Sequence, residues 1–480
     1  MSLSSAINTA QTIFNNTAAQ TALVSKNIQN VNNADYSRRM AMLGTSGNGA
    51  QIVSIQRAQN DALMKQHSIS ISQASAQDAL LTGLEAVKAA LGGNGYETSP
   101  ANYLKSFRDS LQTFAAAPGN TSIAATTVSS ASDLAKSLSK TSASVQSVRY
   151  DADKEIDASV KNLNKLLAEF ETANNAVRGA TASGSDASDA LDQRDTLLRQ
   201  ISEIVGISTV TRANNDTVIF TSDGTVLFEN SARAVTFQAT PGFGATTTGN
   251  AIYVDGVALK AGKGADTSGE GKLSSLLQLR DETAPKFQSQ LDEIARGLVS
   301  LFQENTTPAT TPKPGLFTWA GGTVPAPGVT VPGMAASLTI NPLAESNPAL
   351  VRDGGFNGPT YKSNTAGSSG YTALLDKFVT SLSTDIPFDP ATGLDGSSSI
   401  LDFSASSIGW LEDLRKTAST ASDNKTAMLS RTQDALSNAT GVSLDEELSQ
   451  LLDLEQSYKA SAKLVSTVDA MMAALLQAVG

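Results

Sequence analysis

The residues that could do chemistry are few. His67 is the single histidine, in a polar stretch with helical spacing, and the chain has no cysteine. A metal cluster built from imidazoles or thiolates needs several such ligands, so none is expected and His67 is read as solvent-facing. The glycines between Gly262 and Lys272 suggest a phosphate loop, but that loop requires Gly, four residues, then Gly-Lys-Ser/Thr. Here Asp266 stands five places before Gly271, and Leu273 follows Lys272, so the pattern fails twice. Asp186, Asp189, Asp192 and Asp195 recur every third residue along a helix. They lack the glycine and the closing glutamate of a calcium loop, and are read as a solvated helix face with Asp195 near Arg199. No Ser/His/Asp or Cys/His arrangement can be assembled from these candidates. No catalytic, cofactor-binding or metal-binding residue is nominated, no cofactor is expected, and the chain is read as a non-enzyme.

What the sequence does specify is helices with partners. Stepping by four and three from Leu3 reaches Ile7, Ala10, Phe14, Thr17, Thr21, Val24, Ile28 and Val31, apolar at seven of nine places. Near the other end the steps run Leu451, Leu454, Tyr458, Ser461, Val465, Val468, Met472, Leu475 and Val479. Such 3.5-residue spacing keeps one stripe of a helix against a partner. Gly441 can stop the preceding helix, Ser443 and Glu446 have capping-box spacing, and Asp445 to Glu447 suit the positive helix start. Burial along one narrow seam does not offset the entropy of ordering some thirty residues, so neither helix is expected to be stable alone. The two are expected to pair as a coiled coil, to be disordered before assembly, and to be completed by further copies.

Between them, residues 60 to 177 have helical spacing, punctuated at Gly92-Gly93, Ser99-Pro100 and Pro118-Gly119. One or two long helices then follow Leu134, Leu138, Val145, Val148, Ile156, Val160, Leu163, Leu167 and Phe170, with another helix over about 187 to 205 after a loop at Gly184. Ser222-Asp223-Gly224 and Asp255-Gly256 each separate two short β-type runs and predict tight hairpins. Helix returns from Lys272 to about Gln303, with a bend expected at Pro285, and again from about Ser404 to Asn438. Residues 306 to 399 hold eleven of the fifteen prolines and read as either a β-rich insert or ordered loops. The expected fold is mainly α with β-rich insertions, elongated and multi-domain. Its domains would be 1–42 with 441–480 as the coiled coil and 43–205 with 271–305 and 400–440 as a helical bundle. A β-hairpin element over 206–262 and the insert over 306–399 would make the outer region.

Composition supports this reading. A net charge of -11 without a basic run excludes an obvious nucleic-acid surface, and the longest apolar stretch, Ala470 to Leu476, is far short of the ~20 residues of a membrane helix. The first 25 residues carry no charge, and no basic segment precedes an apolar core. A cleavable secretory signal is therefore not expected, and the start should remain in the mature chain. The lack of cysteine suits a chain that travels unfolded or works outside the cell.

The run Asn27-Ile28-Gln29-Asn30-Val31-Asn32-Asn33-Ala34-Asp35-Tyr36-Ser37-Arg38-Arg39 resembles the N-terminal signature of bacterial flagellar axial proteins. Its Asp-Tyr-Ser-Arg-Arg ending is similar to the hook-associated FlgK family, whereas rod and hook proteins usually end it Gly-Tyr-Lys; Ala34 stands where the family often has proline. The run from Gly441 through Tyr458-Lys459-Ala460-Ser461-Ala462 to Ser466-Thr467-Val468-Asp469, the segment Leu191-Asp192-Gln193-Arg194-Asp195 with Val205-Gly206, and Gly271-Lys272-Leu273 with Arg280-Asp281 also resemble that family. The resemblance implies an extracellular structural adaptor at the junction of hook and filament, exported unfolded by the flagellar type III route and self-associating in a ring. Its implied partners are the hook protein, the second junction protein FlgL, and the export chaperone FlgN on the helix from Leu451 to Val479. Flagellin-like or FlgL-like axial proteins are the near alternatives, and an adhesin carried by 306–399 is a more distant one.

Overall fold

In the computed structural model the described residues are 3–46, 49–305 and 311–479. Helix α1 (Leu3–Gln29) leads through a turn into an antiparallel hairpin of β1 (Arg39–Ser46) and β2 (Gly49–Arg57). The hairpin was not expected: residues 43 to 57 had been assigned to the helical bundle. Its alternation is interrupted by a bulge at Val53, where Met42 faces Ser54 and Leu43 faces Ile52. Such an extra residue shifts the two-residue period and hides a strand from a periodicity reading.

The body is built from long helices. Asn60 caps α2 (Asp61–Ala90) by accepting from the Leu63 N–H, and Ser99 caps α3 (Pro100–Ala116) by accepting from Asn102. Asn120 then starts α4 (Thr121–Ser183), a single helix of 63 residues that spans about 95 Å at 1.5 Å per residue. No proline interrupts it, and it stops at Gly184, whose φ of 72° gives the left-handed cap that a side chain resists. Helix α5 (Ser188–Ile204) returns antiparallel to α4.

The expected hairpin at Ser222-Asp223-Gly224 is the second half of a three-stranded sheet, β3 (Ile207–Thr211), β4 (Thr217–Thr221) and β5 (Val226–Phe228). A second sheet joins β6 (Val235–Thr236), β7 (Tyr253–Val254) and β8 (Val257–Ala258), with Asp255-Gly256 as its tight turn. Helix α6 (Lys272–Gln278) continues through a π turn, Leu279–Thr283, into α7 (Ala284–Leu301). The irregularity expected at Pro285 thus lies just ahead of it. In the π turn an N–H bonds five residues back, as Ala284 does to Leu279, so Pro285 has no N–H for the Arg280 carbonyl, which accepts from Arg149 Nε at 2.9 Å.

Residues 311–399 fold as short helices and two-residue strands rather than as one sheet; 306–310, the start of the expected insert, lie outside the described residues. Strands β9 (Phe317–Thr318) and β10 (Thr339–Ile340) pair around α8 (Met334–Ser337). Then come α9 (Pro342–Ser346), α10 (Leu350–Asp353), α11 (Ala373–Ser381), and the pair β11 (Ile386–Pro387) and β12 (Ser397–Ser398). The segment shares the body's core: Phe302 of the body packs 4.5 Å from Phe378 and 5.2 Å from Phe317, ring centre to ring centre. Buried carboxylates supply what periodicity does not. Glu304 accepts from the N–H groups of Gly355, Phe356 and Asn357, and Asp292 from those of Gly333 and Ala335.

Helix α12 (Ile400–Thr440) runs antiparallel along α2, ends where the Gly441 N–H bonds the Ser437 carbonyl, and gives way to α13 (Leu444–Val479). Among the described residues no helix is long and apolar enough to cross a membrane.

Candidate functional site

Helices α1 and α13 lie antiparallel: Asn27, near the end of α1, meets Glu447 at the start of α13, and the Phe14 and Tyr458 rings meet edge-on at 5.0 Å. Along α1 the fully buried seam positions are Ala10, Thr17 and Val24; along α13 they are Leu454, Ser461 and Val468. Both sets repeat every seven residues, so each helix closes one of its two seam positions per heptad. The others are open to different degrees. Ile7, Phe14, Thr21, Ile28, Leu451 and Val465 are half-buried, whereas Tyr458, Met472 and Leu475 are exposed, Leu475 at 55%. Val31 is half-buried in the turn beyond α1, so the helix is shorter than the periodicity predicts. The side chains of Leu3 and Val479 lie outside the described residues. Flanking the seam on α13, Leu448, Leu452, Leu464, Met471 and Leu476 are exposed as well. A two-helix pair has only one shared face, and among the described residues nothing covers these exposed side chains.

At the base of this pair the signature residues form a joint. Asn27 is buried, and its amide is fully employed: Nδ2 donates to the Arg39 carbonyl and to Glu447, both at 3.0 Å, while Oδ1 accepts from the Tyr36 hydroxyl at 2.7 Å and the Arg39 N–H at 3.1 Å. Asn30 donates to the Lys26 carbonyl and accepts from Asn33, whose own carbonyl oxygen takes the Asp35 N–H, tightening the turn. Asn32 is exposed and Ser37 half-buried within it. Burial pushes the Tyr36 hydroxyl up to about 12, which keeps it a hydrogen-bond donor at neutral pH. Arg38 reaches Glu446 at 2.7 Å and Glu447 at 2.6 Å, so the signature holds the first turn of α13 directly.

Arg39 turns the other way. Its guanidinium sits 4.7 Å over the Tyr36 ring and pairs with Asp189 at 2.6 Å and Asp192 at 2.9 Å on α5. From the paired strand, directly opposite Arg39, Arg57 pairs with Asp192 and Asp195, at 2.9 and 2.6 Å. The bond from Arg39, together with Lys26, holds the Asp189 carboxyl below its usual range. The acidic row read as a solvated face is therefore largely a receptor for the hairpin arginines, and Asp192 is buried. Arg199, expected beside Asp195, pairs with Asp35 of the signature instead. A joint made from residues some 150 positions apart has no local sequence signal; the available hint was a pair of adjacent arginines, Arg38 and Arg39, with a single acid, Asp35, beside them.

Beside the joint a cleft of about 600 Å³ separates the signature turn from α2, α5 and α12. His67 borders it but is buried, not solvent-facing: its Nδ1 lies 3.2 Å from Thr432 Oγ1, and burial pushes its pKa down. The polar neighbours of His67 conceal the face that α12 covers. In the glycine-rich stretch, Gly271 has φ of 79° and a Cβ there would lie 2.4 Å from Val205 Cα, so packing explains this glycine. Among the described residues no group of three metal-ligating side chains converges.

Residues 87–309 match the model of the flagellar hook-associated protein FlgK helical domain, and 433–478 match that of the flagellar basal body rod FlgEFG protein C-terminal. Over these two segments the chain is similar to flagellar axial proteins, the longer match being to the FlgK helical domain. Flagellar hook-associated protein 1 of Salmonella typhimurium is 25% identical over 64% of this chain and 57% of its own length. That of Escherichia coli K12 is 24% identical over 62% of this chain and 56% of its own. The Bacillus subtilis protein of the same name is 21% identical over 99% of this chain and 98% of its own. A solved structure of the flagellar hook junction protein FlgK from Burkholderia pseudomallei overlays 53% of this chain and 47% of its own at a TM-score of 0.42 with 21% identity. The alignments to the enterobacterial relatives thus span little more than half their length.

Proposed function

We propose that this chain is a structural adaptor of the bacterial flagellum that joins hook to filament, assembling as a ring at the hook tip. The observation that carries the reading is α13: in a chain similar to FlgK, its seam with α1 leaves Tyr458, Met472 and Leu475 exposed alongside Leu464 and Met471. Exposed apolar stripes of this length on a helix mark a surface that is covered in use. Further copies complete that surface, the hook protein and FlgL are the neighbours below and above, and no catalysis takes part. Before assembly the chain travels unfolded through the type III channel, with FlgN covering the stripe of α13. The acid-receptor joint then sets the angle at which the α1 and α13 pair leaves the body.

The test is a deletion strain complemented with the wild-type chain, Val465→Asp or Leu475→Asp. A charge on the stripe has no partner when the stripe is covered, so both variants should fold in the body yet fail to bind chaperone or retain filaments. Hooks of the deletion strain should be complete and shed unpolymerised flagellin. Filaments growing on those bare hooks, or normal motility of either variant, contradict the proposal.

A further inference from the structure

The hairpin β1–β2 is a surface that the α1 and α13 seam does not explain. From Met40 to Gln56 its sequence carries no charge and no proline. A two-stranded sheet in water is marginal by itself, and natural sheets protect free edges with charge, proline or a covering element. One side of this hairpin rests on α1, where Asn16 Nδ2 donates to the Ala50 carbonyl and Oδ1 accepts from the Ile52 N–H. The other side shows Met40 and Met42 to solvent, with the bulged Val53 67% exposed. Methionines on such a surface suit a partner with an apolar, irregular contour.

The charges at the root exclude several partners. Arg39 and Arg57 are buried and neutralised by Asp189, Asp192 and Asp195, so the hairpin offers no cation to a phosphate or an anionic membrane. A matching surface must itself be poor in charge. One flank of α13 has that character: Leu464 and Met471, exposed at 46% and 52%, lie to one side of the buried row, which Leu475, exposed at 55%, continues seven residues beyond Val468. The opposite flank, Leu444, Leu448 and Leu452, is lined by Asp445, Glu446, Asp453 and Glu455, whose carboxylates an uncharged hairpin would desolvate without compensation. Both surfaces belong to one chain, the hairpin resting on α1 and the flank lying on the helix that pairs with α1. A hairpin meeting a hairpin would leave the α13 flank bare, whereas a hairpin meeting that flank of the next copy covers both and repeats from copy to copy.

We propose that the hairpin β1–β2 docks on the Leu464, Met471 and Leu475 flank of α13 in a second copy of this chain. The contact rests on the self-association part of the proposed function and joins one open seam position, Leu475, to Leu464 and Met471 beside the seam. Because the chain has no cysteine, disulfide trapping reads the contact without background. Met42→Cys/Met471→Cys, and independently Val53→Cys/Leu475→Cys, are oxidised on isolated hooks that carry the full-length chain. The expected result is a ladder of trimers and higher multimers from a double variant, and none above background from either single variant. Three results overturn the contact: no ladder from either pair on hooks that carry the protein, dimers from Met42→Cys alone, or a ladder only when Leu448→Cys replaces the α13 site. Loss of the protein from hooks for the wild-type chain too is instead the failure of the junction assignment.

Discussion

The body helix α4 and the end helix α13 are written with the same periodicity and buried to opposite extents. On α4, Leu134, Leu138, Ile156, Leu163 and Phe170 are entirely buried within the chain. On α13 the equivalent stripe alternates between buried and open, with Tyr458 and Leu475 more than half exposed. What differs is the number of partners: α4 meets α3, α5, α6 and α7 in one chain, α13 meets α1. Periodicity reports that a stripe is to be covered, and only the surroundings tell whether the same chain covers it. The body is finished at the level of one chain; the end pair keeps an open apolar side.

The largest expected effect falls in the body. Phe170→Ala empties a fully buried site beside Phe228, whose ring centre is 5.0 Å away, and should cost about 3 to 5 kcal/mol by denaturant unfolding of the isolated chain. A small loss, under about 1 kcal/mol, would mean that the body too depends on neighbours. Next is Asp292, whose carboxyl burial raises from 3.8 to about 6 in the folded chain. The folded state therefore holds this proton more tightly than the unfolded one. Its contribution is complete below the unfolded value and is lost as pH rises through about 6, by up to roughly 3 kcal/mol. Asp292→Asn should flatten that decline between pH 4 and 7; an unchanged slope assigns the pH dependence elsewhere.

The joint comes third. Asn27→Ala removes four hydrogen bonds and leaves Glu447 with Arg38 as its remaining partner, a loss of roughly 1 to 3 kcal/mol. The expected readout is faster hydrogen exchange confined to α1, the hairpin and the first turns of α13, with α4 unchanged. Exchange rising uniformly would merge the two regions into one cooperative unit. Smallest is Leu475→Ala, which should alter the stability of the isolated chain by no more than about 0.5 kcal/mol, since nothing packs over that side chain there. A loss comparable to that of Phe170→Ala would show the stripe already covered.

Much of the helical architecture was legible, because Ser99-Pro100, Pro118-Gly119, Gly184 and Gly441 mark boundaries in residue types whose conformational preferences are local. The hairpin was not, since the Val53 bulge breaks its alternation and its apolar residues point to both sides. The acidic row on α5 looked solvated because its arginines arrive from another part of the chain, and His67 looked exposed because α12 covers it from 365 residues away. Residues 311–399 carried no period to read: their strands are two residues long, and carboxylate bonds to backbone N–H groups hold their loops. At the ends, the seam positions were readable, but not which of them one chain would close.

Hydrogen exchange along α13, compared between the isolated full-length chain and the chain on purified hooks, tests the central claim most directly. The account predicts amides of 458–475 exchanging orders of magnitude faster than those of α4 in isolation and strongly protected on hooks. Protection of α13 equal to that of α4 in the isolated chain would contradict it.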